Sequence, residues 1–205
     1  MSVWIIILIC LIPILFFTKY TKKFREKYPD MFGYFFSLVG TFIGVFVGLY
    51  ITSIQANNDR KDLTVKVLEA GKKEMQWLTE RSNRLLAVTD TLSFRQLQLL
   101  QDLESPAFFT NTLHTELMAE MLDPFTIEEF NRIKERMFFD IELTKHETAR
   151  EQRKDFKNDL ENYKQHLSVA ITVMDEEIGR LKGKIKTKAY EEKASKRLDS
   201  FIKSE

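Results

Sequence analysis

Charged side chains are absent from Met31 to Asn58 and frequent in everything that follows. As a helix, the part from Met31 to Ile54 is long enough to cross a bilayer, which takes roughly 20 apolar residues. Within it Gly40, Gly44 and Gly48 recur every four residues, with Gly33 and Ser37 leading in. Residues four apart share a helix face, so one side of this helix is nearly bare, while Phe42 and Phe46 stand on the opposite side. A bare face lets helices approach closely in lipid. Gly33, Gly40, Gly44 and Gly48 are therefore the expected packing positions in the membrane, and Ser37 and Thr41 are the few polar groups able to wet a lumen.

A second apolar run, VWIIILICLIPILFF at 3–17, is short for a span and is kinked by Pro13. The expectation is a first, tilted membrane helix; the alternative is an interfacial anchor, with only 31–54 spanning. A cleaved signal peptide is not expected, since no basic residue precedes the run and no small-x-small site follows it. Cys10 follows Ile9, where a lipidation site calls for a small residue. In the linker, Pro29 ends any helix before it and Asp30 is placed to cap the next.

Beyond the span the pattern becomes amphipathic. No proline occurs from Asp30 to Ser105, so the span is expected to continue as one helix until Ser105-Pro106, with Gly71 its weak point. Leu78, Leu85, Leu92 and Leu99 recur every seven residues, and Met75, Leu86, Val88, Leu97, Leu100 and Leu103 broaden the stripe. That width suits a helix facing a domain core better than a narrow coiled-coil seam. Trp77 is expected to pack. A short segment with Phe108, Leu113, Leu117, Met121 and Leu122 follows, ended by Asp123-Pro124. Thr126-Ile-Glu-Glu129 reads as a capping box, with Phe125 and Phe130 as staple partners, and Phe130, Ile133, Met137, Phe138 and Ile141 continue at helical spacing. Residues 145–159 are mostly charged and read as a solvated face. Phe156, Leu160, Tyr163, Leu167, Ile171, Met174, Ile178, Leu181 and Ile185 then alternate steps of four and three, with Ala170 beside Ile171. They predict a long amphipathic helix, packed either on the Leu78–Leu99 stripe or on a copy of itself.

Charge adds constraint without deciding topology. Residues 1–58 carry five Lys/Arg and two acids, while 59–205 is balanced at 26 basic and 28 acidic residues. A balanced domain is a poor non-specific nucleic-acid binder. Lys19, Lys22, Lys23, Arg25 and Lys27 precede the span, and Arg60, Lys61, Lys66, Lys72 and Lys73 follow it, so the positive-inside rule is tied. The composition of 59–205, which has no cysteine, favours a cytoplasmic soluble domain. The tail is basic, through Arg180, Lys182, Lys184, Lys186, Lys188, Lys193, Lys196, Arg197 and Lys203, and suits either anionic headgroups, RNA or plain solvation. The expected fold is thus all-α: a membrane region at 1–58, holding a transmembrane helix or helix pair, then a helical soluble domain at 59–205.

Candidate chemistry is sparse. His114 has no His or Cys near it, so no metal site is expected, and no phosphate loop or catalytic triad points to a cofactor or a small-molecule substrate. Asp159, Asn162 and His166 share a face beside the apolar stripe. Asn162-Tyr-Lys-Gln-His166 resembles the second half of the Arg-polar-x-x-x-His signature of HEPN ribonucleases, in which His and Arg act on the scissile RNA phosphate across a dimer. The arginine position here is Glu161, which would repel phosphate.

With its apolar N-terminal segment, Gly40, Gly44 and Gly48 in the span, and Asn162/His166 in a helical charged domain, the chain resembles the small membrane accessory proteins encoded beside RNA-guided RNases in type VI CRISPR loci. That resemblance implies a HEPN-like cytoplasmic bundle on the bacterial inner membrane. It also implies a homo-oligomeric pore that strengthens antiphage defence by depolarising the membrane. The partners would be the lipid bilayer, copies of the chain, and an RNA-guided RNase system or RNA. The alternatives are a membrane-tethered HEPN ribonuclease and a non-conducting scaffold recruiting a partner. With Glu161 in place of arginine, no enzyme activity is expected.

Overall fold

The computed structural model describes residues 22–100, 103–149 and 152–203. The run at 3–17, with Cys10 and Pro13, lies outside them. Among the described residues every regular element is helical and no strand occurs. The chain divides into two compact units, Met1–Asn58 and Asp59–Glu205.

In the first unit, α1 (Lys22–Lys27) ends at Tyr28, and α2 (Pro29–Val88) starts at once. Proline suits a first helical position, because its fixed φ is helical and its missing N–H needs no partner there. Asp30 is consequently not the cap; it sits in the first turn, where a carboxylate complements the helix dipole. The apolar stretch of α2 exposes side chains all round, including Tyr34, Leu38, Phe42, Phe46, Leu49 and Ile54.

The second unit is a helical bundle. It comprises the rest of α2, then α3 (Phe94–Leu100), a π-helical turn (Phe108–Thr112), α4 (Glu116–Met121), α5 (Pro124–Ala149), α6 (Arg153–Leu181) and α7 (Thr187–Lys203). α5 is the hub: it packs most extensively on α6 and also meets α3, α7 and the π-helical turn. One core joins Leu68, Met75, Leu78 and Leu85 of α2 to Phe108, Phe109, Phe130, Ile133, Met137, Phe156, Leu160, Tyr163 and Met174. The stripe of α6 is therefore used inside the chain, but chiefly against α5 and not along the expected Leu78–Leu99 stripe.

Several boundaries differ from the sequence expectation. α2 stops at Val88, well before Ser105-Pro106. Thr-Asp-Thr at 89–91 favours turns over helix, and Arg153 donates from Nη2 to the Leu92 carbonyl at 2.6 Å and from Nη1 to the Thr89 carbonyl. The last carbonyls of α2 are taken locally, Leu85 O by the Thr89 hydroxyl at 2.7 Å and Val88 O by the Thr91 hydroxyl at 3.0 Å, and the guanidinium holds the turn that follows. α3 restarts with a capping box: Ser93 N and Oγ both donate to Gln96 Oε1 at 2.9 Å, and Gln96 N reaches back to Ser93 Oγ at 3.4 Å. At the start of α5, the cap is Asp123, whose Oδ1 accepts from Phe125 N at 3.0 Å, with Pro124 at the first helical position. Thr126 and Glu129 are buried instead of forming the expected box, and Phe125 is exposed while Phe130 is fully buried, so there is no staple.

α6 ends at Leu181 and does not continue to Ile185. Gly183 adopts φ 70°, Lys184 N bonds Gly179 O at 2.8 Å, and Gly183 N bonds Arg180 O at 2.9 Å. This is a Schellman stop, and only glycine takes that φ without strain. Gly71 is no weak point either. A Cβ there would lie 2.6 Å from Phe108 Cδ2 and 3.1 Å from Met174 Cε, so the missing side chain is what admits the Phe108 ring.

Candidate functional site

The candidate positions in the span are open. A Cβ added at Gly33, Gly40, Gly44 or Gly48 meets nothing within 4 Å among the described residues. Ser37 and Thr41 share a groove with Tyr34, Leu38, Phe42 and Val45. Thr41 Oγ1 donates to Ser37 O at 2.9 Å, and Thr52 Oγ1 does the same to Gly48 O at 2.9 Å. Such back-bonding satisfies a hydroxyl within its own helix, which an apolar environment demands. By length and composition α2 can cross a membrane; its most apolar window has mean hydropathy 2.0 and is 0% buried.

The polar positions on α6 are brought into a different cluster from the one the motif suggests. His166 Nδ1 lies 2.7 Å from Asp140 Oδ2 of α5, with Asp140 almost fully buried. Thr144 Oγ1 donates to the Asp140 carbonyl at 2.5 Å. Asp159 is half-buried beside them; burial, and then the carboxylates of Asp140, Glu147 and Asp155, push its pKa up. Asn162 points to solvent, and Glu161 is exposed and paired with Lys164 at 2.6 Å. The structure thus joins His166 to a carboxylate across the α5–α6 interface and leaves Asn162 out. An Asp–His pair can hold and orient a proton, but carboxylates repel a phosphate. His114 is exposed, 3.2 Å from Lys134 Nζ, and no group of His, Cys, Asp and Glu able to hold a metal occurs among the described residues.

The basic tail is less free than its composition implies. Arg197 grips Glu129 from Nε at 2.6 Å and Nη2 at 3.0 Å, and Glu176 from Nη1 at 2.5 Å. Burial disfavours its charge, but the two carboxylates outweigh that and raise its pKa. Lys193 pairs with Glu176 at 3.5 Å and Lys182 with Glu69 at 3.0 Å. The densest polar network was invisible in the apolar periodicity. Glu177, fully buried, accepts from Asp123 N at 3.1 Å, Thr126 Oγ1 at 3.2 Å, Arg180 Nη2 at 2.6 Å and Arg180 Nε at 2.9 Å. Thr126 also bonds the Tyr190 hydroxyl, whose pKa burial raises far above the phenol range. A glutamate wedged between Met174, Ile178 and Leu181, with an arginine three residues on, was the available signal.

Comparison with protein-family models, curated proteins and solved structures gave no match.

Proposed function

We propose that this chain is a membrane protein that assembles with copies of itself through the glycine face of α2 and acts as a pore. The observation that carries the reading is the apolar stretch of α2, unburied all round, with Gly33, Gly40, Gly44 and Gly48 open to a close neighbour. A helix apolar on every side needs lipid or protein around it, and a bare face favours protein. Ser37 and Thr41 are the polar groups offered to a lumen, and with no charged ring such a lumen gates by dewetting. The role as a HEPN-like accessory effector of antiphage defence, in the bacterial inner membrane with the bundle in the cytoplasm, rests on the sequence resemblance carried by Gly40, Gly44, Gly48, Asn162 and His166. The carboxylates gathered at His166 favour the reading without RNA cleavage.

The deciding measurement is the particle size of detergent-purified full-length protein. A symmetric multimer is expected, and a monomer ends the reading. Gly44→Ile is expected to abolish assembly and to remove dye-reported depolarisation in cells. Assembly and activity unchanged in that variant would overturn the role of the glycine face.

A further inference from the structure

The bundle exposes five large apolar side chains among the described residues, two of them on α2 and two, adjacent, on α5. On α2, Leu63 and Trp77 are each 51% exposed; they lie on one heptad line with exposed Ala70 between them. Trp77, expected to pack, instead lies at the surface with the Arg81 guanidinium 5.4 Å from its ring centroid. Exposed Lys66, Lys73 and Arg84 border this face; of its exposed acids, Asp59, Asp62 and Glu69 lie towards Leu63, and Glu80 lies beside Trp77. On α5, Phe138 and Phe139 are 59% and 62% exposed, although Phe138 was expected in the core. One turn to either side stand exposed Glu135 and Glu142, the latter 2.9 Å from Lys145. The core occupies the opposite side of both helices: Leu68, Gly71 and Met75 of α2, and Ile133, Met137 and Ile141 of α5.

Adjacent solvent-facing phenylalanines on a charged helix, and a tryptophan under an arginine, are the residue types that form the centres of protein contacts. We infer that the two faces are complementary halves of a head-to-tail contact between copies of this chain. Trp77 of one copy receives Phe138 and Phe139 of the next, with Lys73 and Arg84 opposite Glu135 and Glu142; Leu63, about 21 Å down the helix from Trp77, lies outside this contact. A self-paired α5 face would instead set the Glu135 and Glu142 carboxylates of two copies against each other. A contact using different surfaces on each copy propagates from one copy to the next and closes into a ring when the rotation permits. This deepens the proposed self-assembly and rests on it, and it adds a second contact, outside the glycine face.

The test is thiol cross-linking of full-length protein in detergent, in a Cys10→Ser background, with Lys73→Cys and Glu135→Cys placed at the rim so that the aromatic residues remain. The chain carrying both cysteines is expected to give a ladder of covalent multiples with a short bis-maleimide, and a mixture of the two single variants is expected to give dimers. Adding Phe138→Glu and Phe139→Glu is expected to cut cross-linking by at least about tenfold with the thermal transition of the bundle unchanged. A multimeric particle without the ladder, or dimers formed by Glu135→Cys alone, overturns the head-to-tail contact and leaves the glycine-face assembly standing. A monomeric particle overturns both.

Discussion

A methyl group added at Gly40, Gly44 or Gly48, in the apolar part of α2, meets no described atom within 4 Å, whereas at Gly71 of the same helix it would sit 2.6 Å from the Phe108 ring. At Gly179 of α6 it would lie 2.8 Å from Ile185 Cδ1. Gly71 and Gly179 of the bundle seat neighbouring side chains. The apolar segment leaves its glycines unused. The same contrast holds for large side chains, since Phe130, Phe156 and Leu160 are fully buried in the bundle while Phe42, Phe46 and Leu49 of the segment are exposed. A self-sufficient core and a surface that needs covering from outside respond differently to the same substitution, and that difference can be measured.

The largest effect is expected where the bundle holds a buried charge. Glu177→Ala leaves Arg180, the Thr126 hydroxyl and the Asp123 N–H without their shared acceptor, and removing one partner of a buried pair costs about 3–5 kcal/mol. Urea unfolding of the detergent-purified protein should show that loss. Next comes the glycine contrast itself. Gly71→Ala is expected to cost about 1–3 kcal/mol by overpacking, while Gly44→Ala leaves the bundle's transition in place. Equal destabilisation by the two would erase the distinction between the regions.

Ser93→Ala, which removes the cap of α3, should cost about 1 kcal/mol and speed amide exchange across 93–97. The smallest effect concerns pH. Asp159 has a folded pKa raised above its ordinary 3.8, so the folded bundle holds that proton more tightly than the unfolded chain. The penalty is absent below the unfolded pKa and complete above the folded one. Asp159 should therefore make the bundle more stable as pH falls from neutral towards the carboxylate range. Asp159→Asn is expected to flatten that dependence and to raise the melting temperature at neutral pH, read from thermal melts across pH. The span, which has no ionisable carboxylate or base from Met31 to Asn58, should contribute nothing to it.

The helical character and most of the core were legible, because periodicity is a local property of the chain. Phe156, Leu160, Tyr163, Leu167 and Met174 are buried as their spacing required. Two of the misplaced ends were legible in principle: Ser93-x-x-Gln96 and Asp123-Pro124 are both start signals in the sequence. The hold on the turn that follows α2 was not, because it comes from Arg153, 64 residues away from Thr89. The paired state of the tail depends on similarly distant groups, with Arg197 reaching Glu129 across 68 residues.

The sequence alone determined that the chain is helical, that one stretch is apolar enough to span a membrane, and which stripes are apolar. Tertiary structure decided which stripes are used up. It seated Phe108 on Gly71, joined His166 to Asp140, wrapped Glu177 in donors, and left Trp77, Phe138 and Phe139 outside. A local pattern says which face of a helix avoids water, but only the packing of all the helices fixes how much of that face they cover.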